Sequence, residues 1–578
     1  MTNWRAEYEK WLDCPSLSES EWKELHDIRH DDAEIESRFF APLEFGTGGL
    51  RGTMKMGLHH MNIHIIRHTT QAFANVILAE GGENAREKGV VICFDCRVNS
   101  ELFAREAARV MAGNGIHVRI FDALRPTPEL SFAVRYYGAA AGLNITASHN
   151  PKEYNGYKVY WSDGAQLPPE HAAAIAAEME KLDIFTGFTA ADFDEALADG
   201  RIERIGSETD EAYLERVLSL AIDREAVARA ADELQIVYTP FHGAGHYLVP
   251  EALRRLGVKH VTPVPEQMVL DGTFPTVASP NPENPEGFYL AVDLAKRVGS
   301  DLIIGTDPDS DRLGVLARRG DEFVPITGNQ MGVLLLDYII GARTRTGTMP
   351  EKPGAIKTIV STEMFREVAL RNGVHPEDTF TGFKFIAERI GEWEAAGSWN
   401  YIFSFEEIYG YMMGDFVRDK DAVSASMMVA EMAAYYHGQG MTLLDAVDAL
   451  YEKYGHYGER TLNLVMPGLD GLRRMQALME SLRGQYPAEI GGVPVAMVRD
   501  YESGALTVPG LGVVGETPIR GSNVLYFELA DGSSFIIRPS GTEPKIKVYL
   551  LVKDETAGKC NVKLDRLAAW AEKLRGEE

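Results

Sequence analysis

Four short segments of the chain combine side chains that can do chemistry, and the first surrounds a serine. It is Thr146-Ala-Ser-His-Asn-Pro151, which follows the apolar stretch AAAGLNI. Functional loops of open α/β sheets lie beyond the carboxyl ends of strands. Because Asn-Pro stops a helix from continuing, we expect Ser148 on a tight loop with His149 beside it. The G-x-S-x-G elbow of a serine hydrolase is absent, and an ordinary polar turn is the remaining alternative.

The second segment, Asp307-Pro-Asp-Ser-Asp-Arg312, follows the apolar run DLIIGT. Asp307, Asp309 and Asp311 alternate, so on an extended chain their carboxylates point to one side. They would repel one another, and a hard divalent cation with oxygen ligands removes that repulsion. An EF-hand is excluded because Arg312 and Arg318 occupy its glycine and glutamate positions. We predict a divalent-cation site, with a solvated acidic turn as the alternative.

The third segment is Phe405-Glu-Glu-Ile-Tyr-Gly-Tyr411, at the end of the apolar segment SWNYIFSF. Two carboxylates after a strand suit hydrogen bonding to sugar hydroxyls, although glutamate pairs are also common on surfaces. The charged run Arg418-Asp-Lys-Asp421 follows closely, and solvated charge is enough to explain it.

The fourth segment, Arg538-Pro-Ser-Gly-Thr-Glu-Pro-Lys545, has the composition of a phosphate cradle. Arginine offers a bidentate fork, hydroxyls donate, and glycine lets backbone N–H groups approach. The P-loop pattern is missing, and a hairpin loop is the alternative. Gly510-Leu-Gly-Val-Val-Gly515 matches a dinucleotide fingerprint, but no strand-turn-helix unit surrounds it.

Apolar runs typical of strands alternate with helix-length segments through most of the chain. This alternation predicts three α/β domains with mostly parallel sheets. Shorter segments after about residue 456 predict a smaller α+β domain, and the first 40 residues predict a helical extension with a capping box at Ser18–Glu21. The expected strands include residues 90–95, 117–122, 235–240, 260–264, 301–307 and 358–362.

Composition limits the class of protein. The net charge of −27 argues against nucleic-acid binding, which depends on Lys and Arg contacts to phosphate. No apolar run reaches the length of a membrane span, and the first residues do not resemble a secretory signal. Four cysteines fit a reducing compartment, so a cytoplasmic location is expected. Cys93 and Cys96 lack partners for a zinc site and are expected to be structural.

The order of the four segments, one in each expected domain, resembles the α-D-phosphohexomutase superfamily. The resemblance spans about residues 41 to 555 and looks most like the long bacterial phosphoglucomutases of the phosphopentomutase and glucose-1,6-bisphosphate synthase branch. Further matches are GTGGLRG (46–52), RPTPELSFAV (125–134), NGYK (155–158), DGTFPTVASPNPENPEGF (271–288) and TGFKF (381–385).

The resemblance implies a four-domain, heart-shaped α/β protein with one loop of each domain around a central cleft. It implies interconversion of glucose 1-phosphate and glucose 6-phosphate, with one Mg²⁺ per chain and glucose 1,6-bisphosphate as intermediate and activator. Small sugar phosphates would be its partners, and it would be a monomer or weak dimer. The implied units are 1–40, the helical extension; 41–205, with the phosphoserine loop; 206–320, with the metal loop; 321–455, with the sugar loop; and 456–578, with the phosphate loop.

The resemblance also implies roles for individual residues. Ser148 would carry the phosphoryl group and, with Asp307, Asp309 and Asp311, hold the metal. His149 and Lys158 would assist proton transfer. Arg51 would stabilise the transferring group. The residues expected to contact substrate are Arg312, Lys384, Glu406, Arg538, Ser540, Gly541, Thr542 and Lys545.

One departure from the family pattern concerns the sugar. Many relatives have Glu-Glu-Ser in the sugar loop, where this chain has Glu406-Glu407-Ile408. A hydroxyl that would contact the sugar is therefore absent, so phosphopentomutase and phosphomannomutase stay open as alternatives. Outside the mutases, a metal-dependent phosphatase and a sugar-phosphate binding protein are the competing interpretations.

Overall fold

A computed structural model describes residues 3–46, 48–466, 471–540 and 545–575. Three helices precede the first sheet, and α2 begins with the predicted capping box between Ser18 and Glu21. Their apolar faces, including Trp11 and Phe39, pack into the core of the first α/β domain. These helices are α1 (Trp4–Leu12), α2 (Glu19–Asp27) and α3 (Asp32–Phe39).

The first domain is built on a six-stranded sheet with the order β1-β5-β4-β2-β3-β6. Strands β4, β2, β3 and β6 are parallel, β5 pairs antiparallel with β4, and β1 pairs antiparallel with β5. Strand β2 is buried throughout, as expected for a parallel strand covered by helices on both faces. The strands are β1 (Gly49–Thr53), β2 (Val90–Phe94), β3 (Val118–Phe121), β4 (Ala141–Ile145), β5 (Tyr154–Trp161) and β6 (Ile202–Ile205). The helices are α4 (Ile63–Lys88), α5 (Ser100–Gly113), α6 (Thr127–Tyr136), α7 (Pro169–Met179) and α8 (Phe193–Ala198).

The second domain has a five-stranded sheet with the order β11-β10-β9-β7-β8. Strands β9, β7 and β8 are parallel, β10 pairs antiparallel with β9, and β11 pairs antiparallel with β10. Strand β11 extends this sheet beyond residue 320, where the sequence placed a domain boundary. The strands are β7 (Gln235–Thr239), β8 (His260–Pro263), β9 (Leu302–Thr306), β10 (Leu313–Arg319) and β11 (Glu322–Ile326). The helices are α9 (Ser207–Ser219), α10 (Arg224–Ala230), α11 (Gly245–Leu256) and α12 (Tyr289–Val298), with a 3₁₀ turn at Pro285–Phe288.

The third domain has a four-stranded sheet with the order β13-β12-β14-β15. The strand expected at residues 358–362 is misplaced, because β12 precedes it and 359–362 form the loop beyond its carboxyl end. Apolar Ile359 and Val360 are buried in that loop by the fourth domain, so their hydrophobicity reflects a domain contact. The strands are β12 (Pro353–Thr358), β13 (His375–Thr379), β14 (Asn400–Glu406) and β15 (Gly410–Met412). The helices are α13 (Gly328–Thr346), α14 (Met364–Arg371), α15 (Phe383–Ala396), α16 (Ala422–His437) and α17 (Leu443–Tyr454).

The fourth domain is an antiparallel sheet with the order β16-β23-β22-β21-β18-β19-β20, in which β17 pairs with β18. Two helices cover it, which makes it the expected α+β domain. The strands are β16 (His456–Val465), β17 (Glu489–Ile490), β18 (Val493–Asp500), β19 (Ala505–Val508), β20 (Gly512–Glu516), β21 (Leu525–Leu529), β22 (Ser534–Pro539) and β23 (Lys545–Asp554). The helices are α18 (Gly471–Gly484) and α19 (Ala557–Glu572), with a 3₁₀ turn at Lys573–Arg575.

Two local features settle points raised by the sequence. The Gly510–Gly515 pattern forms the β19–β20 hairpin, with Gly510 and Gly512 at positive φ, and precedes no helix. Cys93 is buried inside β2, where burial raises the pKa of its thiol well above the ordinary value. Among the described residues, no helix is both long and apolar enough to cross a membrane.

Candidate active site

The serine loop begins directly after β4, at the carboxyl end of a central strand of the first sheet. Ser148 is buried and adopts a φ of +52°, in the left-handed region that a non-glycine residue rarely occupies. Its amide donates to Thr146 Oγ1 at 2.8 Å. Its Oγ donates to Asp307 Oδ2 at 2.8 Å and lies 3.1 Å from His149 Nδ1. The loop of the first domain therefore places its hydroxyl directly on the aspartate loop of the second.

The three aspartates lie in the turn between β9 and β10. All three are buried, and one carboxylate oxygen of each lies within 4.8 Å of the others. Burial, followed by repulsion from Asp309 and Asp311, raises the pKa of Asp307 well above its usual value. Oδ1 of Asp309 and Oδ1 of Asp311 are buried without a hydrogen-bond partner. Converging oxygens with unused lone pairs fit a hard divalent cation.

Two buried lysines face this cluster from different domains. Lys158, on β5, donates to Asp309 Oδ2 at 2.6 Å and to Asp311 Oδ2 at 3.2 Å. Lys420, in the loop before α16, lies 3.3 Å from Asp311 Oδ2. Burial lowers the pKa of each lysine, but the neighbouring carboxylates outweigh it, so both pKa values are raised. Both side chains are therefore held as cations against the aspartates.

The segment Arg418–Asp421 is not solvated charge, because all four of its residues are buried. Asp419 Oδ2 accepts hydrogen bonds from Tyr160 and Gln166 of the first domain, both at 2.8 Å. Its Oδ1 lies 3.1 Å from Nζ of Lys420. Four alternating charges in the sequence carry no signal of burial. The burial of this segment comes from its contact with the first domain.

A cavity of about 200 Å³ opens in front of Ser148. Its charged and nucleophilic lining consists of Arg51, Ser148, His149, Lys158, Asp311, Arg312 and Lys420. Arg51, on β1, donates from Nη1 to Asn150 Oδ1 at 2.9 Å. Burial, followed by the cations of Arg312 and Arg51, lowers the pKa of His149 well below its ordinary value. Residues from three domains thus meet at one anion-attracting surface.

The glutamate loop follows β14 and is joined to the aspartate loop. Gly410 forms an antiparallel bridge with Arg312. Glu406 is buried, and burial raises the pKa of its carboxyl to about 7 although Lys420 opposes the shift. Glu407 Oε2 instead accepts hydrogen bonds from Thr358 and Ser361 within its own domain. Glu406 is therefore the carboxyl of the pair whose charge is coupled to Lys420.

The fourth domain contributes Arg538, on β22, which pairs across the sheet with Lys547 of β23. The amide of Ser540 donates to the carbonyl of Lys545 at 2.9 Å, so the loop ends are closed on each other. Gly541 and Thr542 lie outside the described residues. Burial, followed by the charge of Glu407, raises the pKa of Tyr549 on β23, and Arg538 opposes that shift, so Arg538 and the glutamate loop both lie near this tyrosine.

Lys384 lies in the first turn of α15. Burial lowers the pKa of its ammonium group, which stands 4.9 Å over the ring of Phe385. Within the described chain, the lining of the Ser148 cavity does not include Lys384, Glu406, Arg538, Ser540 or Lys545. These five expected substrate contacts therefore lie outside this cavity, although the charge of Glu406 is coupled to Lys420 in its wall.

Sequence reasoning missed two other contacts of the site. Thr127 Oγ1 donates to Asp309 Oδ2 at 2.7 Å, and Gln166 lines the cavity. Thr127 belongs to the RPTPELSFAV segment, where Pro126 and Pro128 mark the start of α6 and no local pattern indicates a site. Gln166 and Lys420 have no local sequence signal.

Comparison with known proteins identifies the family of this chain. The family models described as phosphoglucomutase/phosphomannomutase α/β/α domains I, II and III match residues 42–184, 211–320 and 327–454. A phosphoglucomutase of Staphylococcus saprophyticus is 34% identical, covering 94% of this chain and 96% of that protein. The chain belongs to the phosphoglucomutase/phosphomannomutase family. A phosphoglucomutase of Staphylococcus aureus is also 34% identical, over 92% of this chain and 94% of its own length.

Solved structures show the same fold for this family member. Paramecium pp63/parafusin, a phosphoglucomutase in its open form, aligns with a TM-score of 0.68 at 17% identity, covering 93% of this chain and 95% of its own. A phosphoglucomutase/phosphomannomutase family protein of Burkholderia thailandensis gives 0.65 at 17% identity, covering 92% and 97%. The four-domain architecture expected from the sequence is confirmed.

Proposed function

We propose that this family member is a phosphoglucomutase that interconverts glucose 1-phosphate and glucose 6-phosphate through a phosphoserine at Ser148. The observation that carries the proposal is the position of Ser148 Oγ, 2.8 Å from Asp307 Oδ2. At that point a nucleophile, three carboxylates and two lysines converge from three domains. The phosphoglucomutases that are 34% identical over nearly their whole length support glucose as the sugar.

The proposed reaction transfers one phosphoryl group from Ser148 to the sugar and then another from the sugar to Ser148. The bond between phosphorus and Ser148 Oγ breaks while a bond to O6 of glucose 1-phosphate forms, which gives glucose 1,6-bisphosphate. The hydroxyl proton of O6 ends on Ser148 Oγ. After the bisphosphate reorients, its 1-phosphate returns to Ser148 and the same proton passes to O1. Nδ1 of His149 lies 3.1 Å from Oγ, so we assign the movement of the proton to His149. Lys158, which Asp309 holds as a cation, would assist this transfer.

Asp307, Asp309 and Asp311, with an oxygen on Ser148, would hold one Mg²⁺. A bound Mg²⁺ would neutralise charge on the transferring phosphoryl group and polarise its oxygens. The chain supports this assignment with buried oxygens of Asp309 and Asp311 that lack hydrogen-bond partners. Glucose 1,6-bisphosphate would also act as activator, because it can phosphorylate any free Ser148.

The remaining residues would bind and orient the sugar phosphate. Positioning and charge stabilisation account for most catalysis of phosphoryl transfer. Arg51 and Arg312, in the cavity wall, would stabilise the transferring group. Glu406 would accept hydrogen bonds from sugar hydroxyls, and Lys384 would help to select the substrate. Arg538, with Ser540, Gly541, Thr542 and Lys545, would hold whichever phosphate is not reacting. Every residue proposed here lies on one chain, which is compatible with the expected monomer or weak dimer.

The test is conversion of glucose 1-phosphate to glucose 6-phosphate with Mg²⁺ and trace bisphosphate, in wild type and S148A. We expect S148A to lose the conversion and to show no phosphoserine by intact mass. Ser162, exposed in the same domain, provides the matched control S162A, which should retain full activity. Full activity of S148A would refute the assignment of the phosphoryl carrier.

The identity of the sugar needs its own test, because Ile408 replaces the serine found in many relatives. We expect kcat/KM for glucose 1-phosphate to exceed the values for mannose 1-phosphate and ribose 1-phosphate. A higher value for either competitor would replace glucose as the substrate without changing the role of Ser148. Release of inorganic phosphate as the main product would identify a phosphatase instead.

A further inference from the structure

Arg97, in the loop after β2, has its side chain fully buried beneath the serine loop. Its guanidinium donates to carbonyl oxygens along that loop, at 2.6 Å to Ser148, 2.5 Å to Asn150, 2.9 Å to Pro151 and 3.1 Å to Tyr154. A planar guanidinium presents its donors in a fixed fork, so these contacts define one shape of the loop.

Asp95 fixes the same loop from its other side. Oδ2 of Asp95 accepts from Thr146 Oγ1 at 2.6 Å, and that hydroxyl in turn accepts the amide of Ser148. Oδ1 of Asp95 accepts from the amide of Arg97 at 2.9 Å, and Arg97 Nε lies 3.3 Å from Oδ2. The amide and the carbonyl of Ser148 are therefore both tied, directly or through Thr146, to the Asp95–Arg97 pair.

This support matters because the backbone at Ser148 is strained. A φ of +52° is unfavourable for a non-glycine residue and persists only where the surroundings over-determine it. The four carbonyl contacts of Arg97 supply that over-determination. Hydrogen bonds from a charged donor are about twice as strong as neutral ones.

Residues of the second domain pack against Arg97 and the loop that carries it. The ring of Phe274 lies 5.0 Å from the guanidinium carbon of Arg97, in cation–π geometry. At Gly272 an added Cβ would come within 2.5 Å of the carbonyl oxygen of Cys96 and the amide of Val98. The segment Gly272–Phe274 therefore packs its backbone directly on the loop that carries Arg97.

We propose that Arg97 is a positioning residue that holds Ser148 Oγ at the aspartate cluster, with Asp95 and Phe274 fixing the guanidinium. The inference rests on the proposed phosphoryl transfer through Ser148. Arg97 does not line the cavity in the described chain, so it acts through the loop and not on the sugar phosphate. Its loss should therefore reduce turnover while leaving substrate affinity nearly unchanged.

The experiment compares R97K and R97M with wild type in full-length protein. A misplacement of about 1 Å lowers the rate by about 100-fold, so we expect kcat of R97M to fall to that extent with KM within about twofold. R97K retains a positive charge but not the planar guanidinium, and its kcat should lie between the values for wild type and R97M. Arg109 donates to the carbonyl of Ala191 and to Glu106 in the same domain, so R109M is the matched control and should keep wild-type kcat.

A second measurement does not depend on the mutase reaction. Hydrogen exchange of the amides of residues 146–154 reports the order of the serine loop itself. We expect exchange there to rise at least tenfold in R97M and to stay unchanged in R109M. Since R97M leaves Asp95 as an unpaired buried charge, the charge-neutral pair D95N/R97M is measured alongside and should show the same increase.

The possible outcomes separate the two proposals. A loss of turnover together with faster amide exchange at residues 146–154 supports the positioning role of Arg97. Unchanged exchange and unchanged kcat in a folded D95N/R97M protein would overturn it. If wild type had no mutase activity, the proposed function would fail, whereas the exchange measurement would still decide whether Arg97 orders the loop.

Discussion

Thr127 of the first domain holds Asp309 of the second domain by two hydrogen bonds. Its Oγ1 donates to Asp309 Oδ2 at 2.7 Å, and its amide donates to the carbonyl of Asp309 at 2.8 Å. Nδ2 of Asn144, on β4, donates to the same hydroxyl at 2.7 Å. One threonine thus fixes both the side chain and the backbone of a proposed metal ligand, from the domain that carries the serine.

We predict that T127V weakens the metal site without unfolding the domain. Valine keeps the shape but removes the hydroxyl that orients Asp309. Loss of such a partner of a ligand costs about 10–100-fold in metal affinity or activity. Titrating activity with MgCl₂ measures the effect as a higher half-saturating concentration. Thr344, whose hydroxyl bonds the carbonyl of Ile340 within α13, gives the control T344V. An unaltered Mg²⁺ titration in T127V would show that Asp309 needs no such partner.

We predict that Mg²⁺ stabilises the protein against heat and that EDTA abolishes turnover. Three buried carboxylates repel one another, so an ion that binds only the folded state raises its stability by mass action. Tm of wild type should rise with MgCl₂ and should not respond in D309N. In EDTA, D307N should melt no lower than wild type, because the carboxyl of Asp307 is opposed by burial and by two like charges. Turnover that survives EDTA would contradict the site.

We predict that K420M loses activity although the charged run around Lys420 looks solvated in the sequence. Lys420 lies 3.3 Å from Asp311 and 3.1 Å from Asp419, and it lines the cavity. Removing a fixed charge from such a site costs about 100–1,000-fold in kcat. Lys453, whose ammonium group pairs with Asp337 on the surface, provides the control K453M, which should turn over normally. Steady-state kinetics decide the point, and a kcat for K420M near that of K453M would exclude Lys420 from the reaction.

We predict that substrate binding weakens as the pH falls through about 7, the pKa to which burial raises the Glu406 carboxyl. Above that pH the carboxylate accepts hydrogen bonds from sugar hydroxyls, and below it the protonated form loses acceptor capacity. KM of the wild-type protein should therefore be higher at pH 6 than at pH 8. In E406Q the KM should be high and follow only the ionisation of the substrate phosphate, which occurs near pH 6. Identical pH profiles for the two proteins would remove Glu406 from sugar binding.

Local sequence signals were sufficient for much of the fold. Apolar runs followed by polar turns located β2, β3, β7 and β9, because a parallel strand needs apolar residues on both faces. The same rule failed at Ile359 and Val360, whose burial comes from the fourth domain. Periodicity within a segment cannot report a partner that lies far away in the chain.

The sequence by itself determined the chemistry available to this protein: a serine loop, an aspartate triple, a glutamate loop and an arginine loop, in that order. Only the tertiary structure decided which groups act together. It set Ser148 Oγ on Asp307, buried Lys420 against Asp311, and placed Arg97 and Thr127 behind the loops they hold. The reason is physical. Residue type fixes what a side chain can donate, accept or hold, whereas burial, backbone strain and ion pairing arise from contacts between segments far apart in the chain, which no local spacing encodes.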